Sequence, residues 1–256
     1  MKMRKKQPRP QKRTAAKKQF LAPATLNVPA SDLPVFTHKK DFRSSLHWRA
    51  LRILAEFVDG WTFLADVKKS VTIFGSARFP ETDRWYQEAR RLGRLLADNG
   101  YSVVTGGGPG IMEAANRGAT EGGGPGDSFG LDIKLPFEQR VNPFVEKGAG
   151  FHYFFVRKVM LAYSAQAYVY FPGGFGTLDE LTEIITLIQT KKISVKIPVI
   201  LVGKKFWAPF LKWIDDVVVR DYKAASAGDK NIYQVVDTAE EALKIIKRSP
   251  ERTEFG

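Results

Sequence analysis

The sequence has no cysteine. That excludes a disulfide scaffold, a thiolate zinc site and a thiol nucleophile, and it suits a reducing compartment. Histidine is scarce. His38, His47 and His152 stand singly, as surface or core histidines do, and no metal-ligand spacing appears. No apolar run approaches the roughly 20 residues of a membrane span, so a cytoplasmic protein without a membrane partner is expected. No G-x-x-x-x-G-K-[ST] string occurs, and the end of the first strand, "FGSARFPE", fails G-x-G-x-x-G. Neither a nucleoside triphosphate nor NAD is favoured. A G-x-S-x-G elbow with Ser-His-Asp partners is missing too.

Acidic residues are lacking in one place. Residues 1–19 hold nine Lys or Arg and no Asp or Glu, within a formal net charge of +13. Without them the body is only mildly basic, so the charge describes a tail and not a nucleic-acid-binding domain. A solubilising tail is the favoured reading, and nucleic-acid contact by the tail the minority one. No apolar h-region follows the basic residues, which argues against a secretory signal. Pro8, Pro10, Pro23, Pro29 and Pro34 fit an amphipathic presequence helix badly.

What is present is an alternation. Residues 1–38 read as a disordered basic tail and 39–69 as a helical extension. In the extension Leu46, Ala50, Ile53, Leu54, Phe57, Trp61 and Leu64 recur at helical spacing over 41–67, with a bend suggested at Gly60. Strands are expected at 70–76, 101–108, 128–136, 166–172 and 197–203. Helices are expected at 82–99, 109–121, 151–164, 177–190, 206–220 and 238–248, the last capped by Thr238. Short apolar strands alternating with helices predict an α/β fold: a doubly wound, Rossmann-like parallel sheet with helices on both faces, spanning 70–248, with 249–256 as a C-terminal tail.

Ligands of such sheets bind beyond the carboxyl ends of the strands. Three strand ends here carry glycine: Gly75, the run Gly106, Gly107, Gly108 and Gly110, and the run Gly173, Gly174 and Gly176. Glycine lets the backbone approach a ligand, and the amides of a helix N-terminus attract an anion. A single phosphate or a mononucleotide fits. One such loop alone would be a tight turn; three at one end of a sheet argue for a ligand. Thr177-x-x-Glu180 spells a capping box, which would make Glu180 a helix cap contributing about 1 kcal/mol. A carboxylate one turn into that helix would also stand beside whatever the turn holds, and both roles stay open at this point. Asp179 projects elsewhere, and Glu183 reads as solvated or paired. Arg157 and Lys158 interrupt the apolar stretch "FHYFFVRKVMLAYSA". Their stems can snorkel, but a guanidinium facing the glycine turn would bind phosphate through two parallel hydrogen bonds.

These residues match a pattern. "PGGFGTLDE" resembles the P-G-G-x-G-T-x-x-E signature of the Lonely guy family, once widely labelled "lysine decarboxylase". "TGGGPGIMEAANRGA" resembles its second glycine motif, and Arg157-Lys158 its arginine motif, all in order between Val71 and Val202. "FHYFFVRKVM" is similar to the longer bacterial branch, although the Met-His-Glu that commonly precedes the motif is absent. The resemblance implies a phosphoribohydrolase: a nucleoside 5′-monophosphate, typically an N6-modified adenylate, is split into base and ribose 5-phosphate. It implies that Gly173, Gly174, Gly176 and Thr177 hold the 5′-phosphate, and that Arg157 and Glu180 are the catalytic pair. Gly106 to Gly110 and Ser76 would line ribose and base, with Lys158 as a further substrate-binding residue. No metal or organic cofactor is implied, and no lysine stands where a Schiff base would want one. A homo-oligomer is implied, with sites completed across a dimer interface. The alternative is a non-catalytic carrier of a nucleotide or phosphorylated cofactor on the same fold.

Overall fold

The computed structural model describes residues 43, 45–65, 67, 69–133, 141–163, 165–250 and 252. The tail expected at 1–38, the helix start at 41 and the strand residues 134–136 lie outside them. All the described residues belong to one unit, Arg43–Gly256.

The elements are α1 (Leu46–Leu64), β1 (Ser70–Phe74), α2 (Arg84–Asp98), β2 (Ser102–Thr105), α3 (Ile111–Glu121), β3 (Ser128–Ile133), β4 (Lys147–Phe151), α4 (Phe154–Tyr163), β5 (Ala165–Tyr170), α5 (Phe175–Gln189), β6 (Val199–Val202), α6 (Lys204–Trp213), β7 (Tyr233–Val236) and α7 (Ala239–Arg248). The strands form one sheet in the order β4-β3-β2-β1-β5-β6-β7, and every pair is parallel. The order reverses at β1, between β2 and β5. That is the switch point where doubly wound sheets bind ligands.

The central strands are apolar on both faces because both faces are covered. Val71, Ile73, Ala167, Val169, Ile200 and Val202 pack with α2, α3 and α7. Phe74, Tyr168, Tyr170, Val199 and Leu201 pack on the opposite side with α4, α5 and Trp207 of α6. The period-2 alternation of a strand divides them.

Two strands escape the sequence pattern. β4 is Lys-Gly-Ala-Gly-Phe and mostly exposed, and β7 is a four-residue edge strand. Both are held by ladder hydrogen bonds at the sheet edges, where apolar alternation is not required. The helix expected from 151 therefore starts at Phe154. The helix expected over 206–220 is α6 followed by a π-helical stretch, Ile214–Asp221, with Pro209 inside α6.

α1 is one continuous helix through Gly60. Gly60 marks close packing and not the suggested bend: a β-carbon there would lie 2.7 Å from Met160 Sδ of α4 and 3.1 Å from Phe151. α1 also holds the start of α4. Glu56 accepts from the backbone N–H of His152 (2.9 Å) and Tyr153 (3.0 Å), groups no intrahelical carbonyl can satisfy. Glu56→Ala is expected to lower unfolding stability by about 1–2 kcal/mol, read as a shift of the urea midpoint at unchanged slope.

Candidate active site

The site is built where three loops meet at the switch point. Ser76 ties them together through its backbone. Its N–H donates to Pro172 O beyond β5 (3.1 Å), and its carbonyl accepts from Ile111 N at the start of α3 (3.0 Å). The two turns must touch it closely. Gly110, at φ +69°, would drive a β-carbon into Ser76 O, and a β-carbon on Gly75 would lie 2.6 Å from Ile111 Cγ2. Glycine is required at both for steric reasons.

Most helix starts in the described chain are capped by side chains. Ser45, Asp83 and Thr238 cap α1, α2 and α7, Glu56 serves α4, and Asp237 accepts from Lys204 N of α6 at 2.9 Å. α3 and α5 start instead on Gly110 and Gly174 with no side-chain cap. Ile111 N of α3 is taken by Ser76 O and Thr177 N of α5 by Gly174 O, so it is the amides at the very start of α5, ahead of Thr177, that face the end that attracts anions. The capping box read from Thr177 and Glu180 does not form. α5 begins at Phe175, Thr177 is its third residue, and no side chain caps it. Gly176 looks like loop in isolation but lies in the first turn of α5, with Gly174 as the extended residue before it. A β-carbon on Gly173 would lie 2.6 Å from Thr177 Cβ, so the turn fits only glycine there.

A cleft of about 640 Å³ opens over these loops. Its described lining includes Ser76, Arg78, Gly106, Arg157, Gly174, Gly176, Thr177 and Glu180, with Phe74, Met112, Phe154, Leu161 and Phe175 as its apolar part. The cleft thus gathers Ser76, Gly106, Gly174, Gly176, Thr177, Arg157 and Glu180 from the expected residues. Gly107, Gly108, Gly110, Gly173 and Lys158 support it from behind and do not line it.

Arg157 enters from α4. Its Nε donates to Leu131 O at 2.7 Å, and its guanidinium lies against Gly106, where any β-carbon would meet Nη2. Burial pulls its pKa below the ordinary value, while the charges of Glu180 and Asp132 oppose that. Glu180 is 6% exposed. Burial pushes its carboxyl up to about 7; Lys158 and Arg157 pull the other way, and Glu183 and Asp179 add to the rise. A buried guanidinium and a carboxylate that titrates near neutrality face one cleft, a pairing typical of catalytic centres.

Sequence reasoning missed the groups that shape the second glycine loop. Asn142 donates its N–H to Gly107 O (2.8 Å), and its Nδ2 donates to Gly107 O (3.1 Å), Gly108 O (3.0 Å) and Asn116 Oδ1 (3.1 Å). Asn116 bonds Thr105 Oγ1 (2.6 Å) and Ser128 Oγ (2.8 Å). All four side chains are buried. Such a network is costly unless satisfied, and here it fixes the loop. Arg78, four residues past the end of β1, was missed as well. Its position in the glycine loop after a strand is the signal that could have found it.

A family model described as "Possible lysine decarboxylase" matches residues 112–246. The cytokinin riboside 5′-monophosphate phosphoribohydrolase LOG of Oryza sativa subsp. japonica is 34% identical over 171 residues, 65% of this chain and 68% of that protein. The pyrimidine/purine nucleotide 5′-monophosphate nucleosidase of Escherichia coli (strain K12) is 26% identical over 193 residues, 73% of this chain but only 42% of that longer protein. The molybdenum cofactor binding protein of Rippkaea orientalis shares the fold, with a TM-score of 0.51 at 22% identity over 70% of this chain and 93% of that one. The chain belongs to the Lonely guy (LOG) family, the family whose model still carries the decarboxylase description.

Proposed function

We propose that this protein is a nucleoside 5′-monophosphate phosphoribohydrolase: it hydrolyses the N-glycosidic bond of an adenylate, plain or N6-modified, to free base and ribose 5-phosphate. The observation that carries this reading is the placement of buried Glu180 and Arg157 in one cleft with the uncapped N-terminus of α5. Relatives named for the same reaction class support it.

The 5′-phosphate sits on the amides of Gly174 and Gly176 beside the Thr177 side chain, with Gly173 shaping the turn, and Arg157 and Arg78 supply charge. Ser76 and Gly106 contact ribose and base, with Gly107, Gly108 and Gly110 shaping the loop behind them. The C1′–N bond breaks as positive charge develops on the ribose, which the Glu180 carboxylate stabilises. A water adds its oxygen to C1′ and passes one proton to Glu180, and the leaving base takes up a proton from solvent. A carboxyl titrating near 7 can hold and release that proton at neutral pH. We assign catalysis to the 70–248 domain, with α1 bracing α4.

Chromatography of reactions with AMP, N6-isopentenyl-AMP and adenosine tests the reading. Free base from the two monophosphates, and at least tenfold less from adenosine, is expected. Equal cleavage of adenosine would remove the phosphate from the argument.

We also propose a homo-oligomer. α1 exposes Leu51, Leu54, Val58 and Trp61 at coiled-coil spacing, and α4 beside it exposes Phe155 and Val159. An apolar patch of this extent marks an interface, and Phe175, 92% exposed at the cleft mouth, fits a site finished by a second copy. Sedimentation at micromolar concentration is expected to give a dimer or larger species, shifted towards monomer by Leu54→Glu. A wild-type monomer would contradict this. No described helix is long and apolar enough to cross a membrane; a cytoplasmic setting follows from the proposed substrate, a cytoplasmic metabolite.

A further inference from the structure

Lys158, beside Arg157 in the sequence, does not share its surroundings. Its Nζ lies 2.8 Å from Asp179 Oδ2 and 3.0 Å from Glu183 Oε2, and its side chain is 17% exposed. Those two carboxylates bracket Glu180 on α5: one precedes it, the other lies one turn on. Glu183 Oε2 is buried and makes no hydrogen bond among the described residues, so its neutralisation rests on the ammonium charge. Burial favours the neutral amine, yet the carboxylates of Asp179 and Glu183 outweigh it and hold the Lys158 pKa above its ordinary value.

We propose that Lys158 is a positioning residue: it clamps α4 to α5 through Asp179 and Glu183 and keeps Glu180 ionisable at working pH, instead of binding the substrate phosphate. The proposal rests on the hydrolase reading of the cleft. Glu180 is faced by Lys158 and Arg157 from α4, by Asp179 and Glu183 from its own helix, and by Tyr170 of β5, whose hydroxyl donates to the Glu180 backbone carbonyl at 3.1 Å. Arg78 and Thr177 share the cleft with it. Of the cations, Lys158 is the one tied to both flanking acids. Without it three carboxylates crowd one helical turn with Arg157 as the remaining cation from α4, and the ionised form of Glu180 becomes harder to reach.

The test is the pH profile of kcat/KM for the full chain carrying Lys158→Met or Lys158→Arg. Lys158→Met is expected to move the acid limb up by about one pH unit while KM at high pH stays within threefold of wild type. Lys158→Arg is expected to restore the limb. An unmoved limb with KM raised tenfold or more, and weaker inhibition by ribose 5-phosphate, would make Lys158 a phosphate ligand and overturn the proposal. If Lys158→Met does not fold, Glu183→Gln carries the test: removing a like charge should move the limb down, and an unmoved limb contradicts the clamp. Were wild type to cleave no nucleotide, the hydrolase reading would fall. The clamp would still be read from the Glu180 carboxyl stretch, as the infrared difference between wild type and Glu180→Gln against pH. A stretch whose midpoint is indifferent to Lys158→Met would then sink it.

Discussion

Glu180→Gln is expected to lower kcat/KM by roughly 10³-fold, with nucleotide binding within a few-fold of wild type. The substitution keeps shape and burial and removes only the charge and the proton-accepting capacity. A helix-cap role would predict lost stability and intact activity, but α5 is not capped by this side chain. The stability effect should have the opposite sign. With the folded pKa raised to about 7, the protein is relatively most stable below the ordinary carboxyl pKa. It loses stability as pH rises from about 4.5 to 7 and stays penalised above that. Burying the charge costs roughly 3 kcal/mol at pH 8, so Glu180→Gln should melt at or above the wild-type temperature there. The same ionisation sets the activity profile, and kcat/KM of wild type is expected to rise with pH through about 7. A variant both inactive and less stable at pH 8 would indicate damage to the fold in place of the chemistry.

The second large effect is expected from Gly106→Ala. The added methyl meets the far end of the Arg157 side chain, which can swing away, and Met112 Sδ at 2.9 Å. The backbone at Gly106 is not at positive φ, so the fold tolerates alanine. The guanidinium, however, leaves the place that its bond to Leu131 O defines. A misplacement of about 1 Å costs on the order of 10²-fold in rate. Circular dichroism is expected to be unchanged and kcat/KM to fall about that much. Gly110→Ala is a useful contrast, because there the clash is with the Ser76 carbonyl at φ +69°. That variant should lose stability as well as activity, through the backbone strain at a left-handed position.

The three glycine loops were legible because each ends a strongly apolar strand, and chain order alone places all three at the carboxyl edge. Glu180 was legible as a carboxylate in the first turn or two of a helix facing that edge. Which of Arg157 and Lys158 enters the site was not. Successive helical residues point about 100° apart, and only the packing of α4 on β3 and α5 sets the phase. Asn116 and Asn142 were not legible either, since the end of α3 and all of β3 separate them in the chain and several of their partners are backbone carbonyls. β4 and β7 lacked apolar alternation because edge pairing supplies what burial gives the central strands. The Thr177 cap was misread because the side-chain pattern of a capping box is indifferent to whether the preceding Phe175 and Gly176 have already entered the helix.

The central claim is that a nucleoside 5′-monophosphate is cut between sugar and base. Its most direct test is the stoichiometry of products from one AMP preparation: adenine, ribose 5-phosphate, inorganic phosphate and intact nucleotide, measured together. The account predicts adenine and ribose 5-phosphate in a 1:1 ratio with no phosphate released. Intact AMP recovered from a protein that binds it tightly, or adenosine appearing with inorganic phosphate, would contradict it.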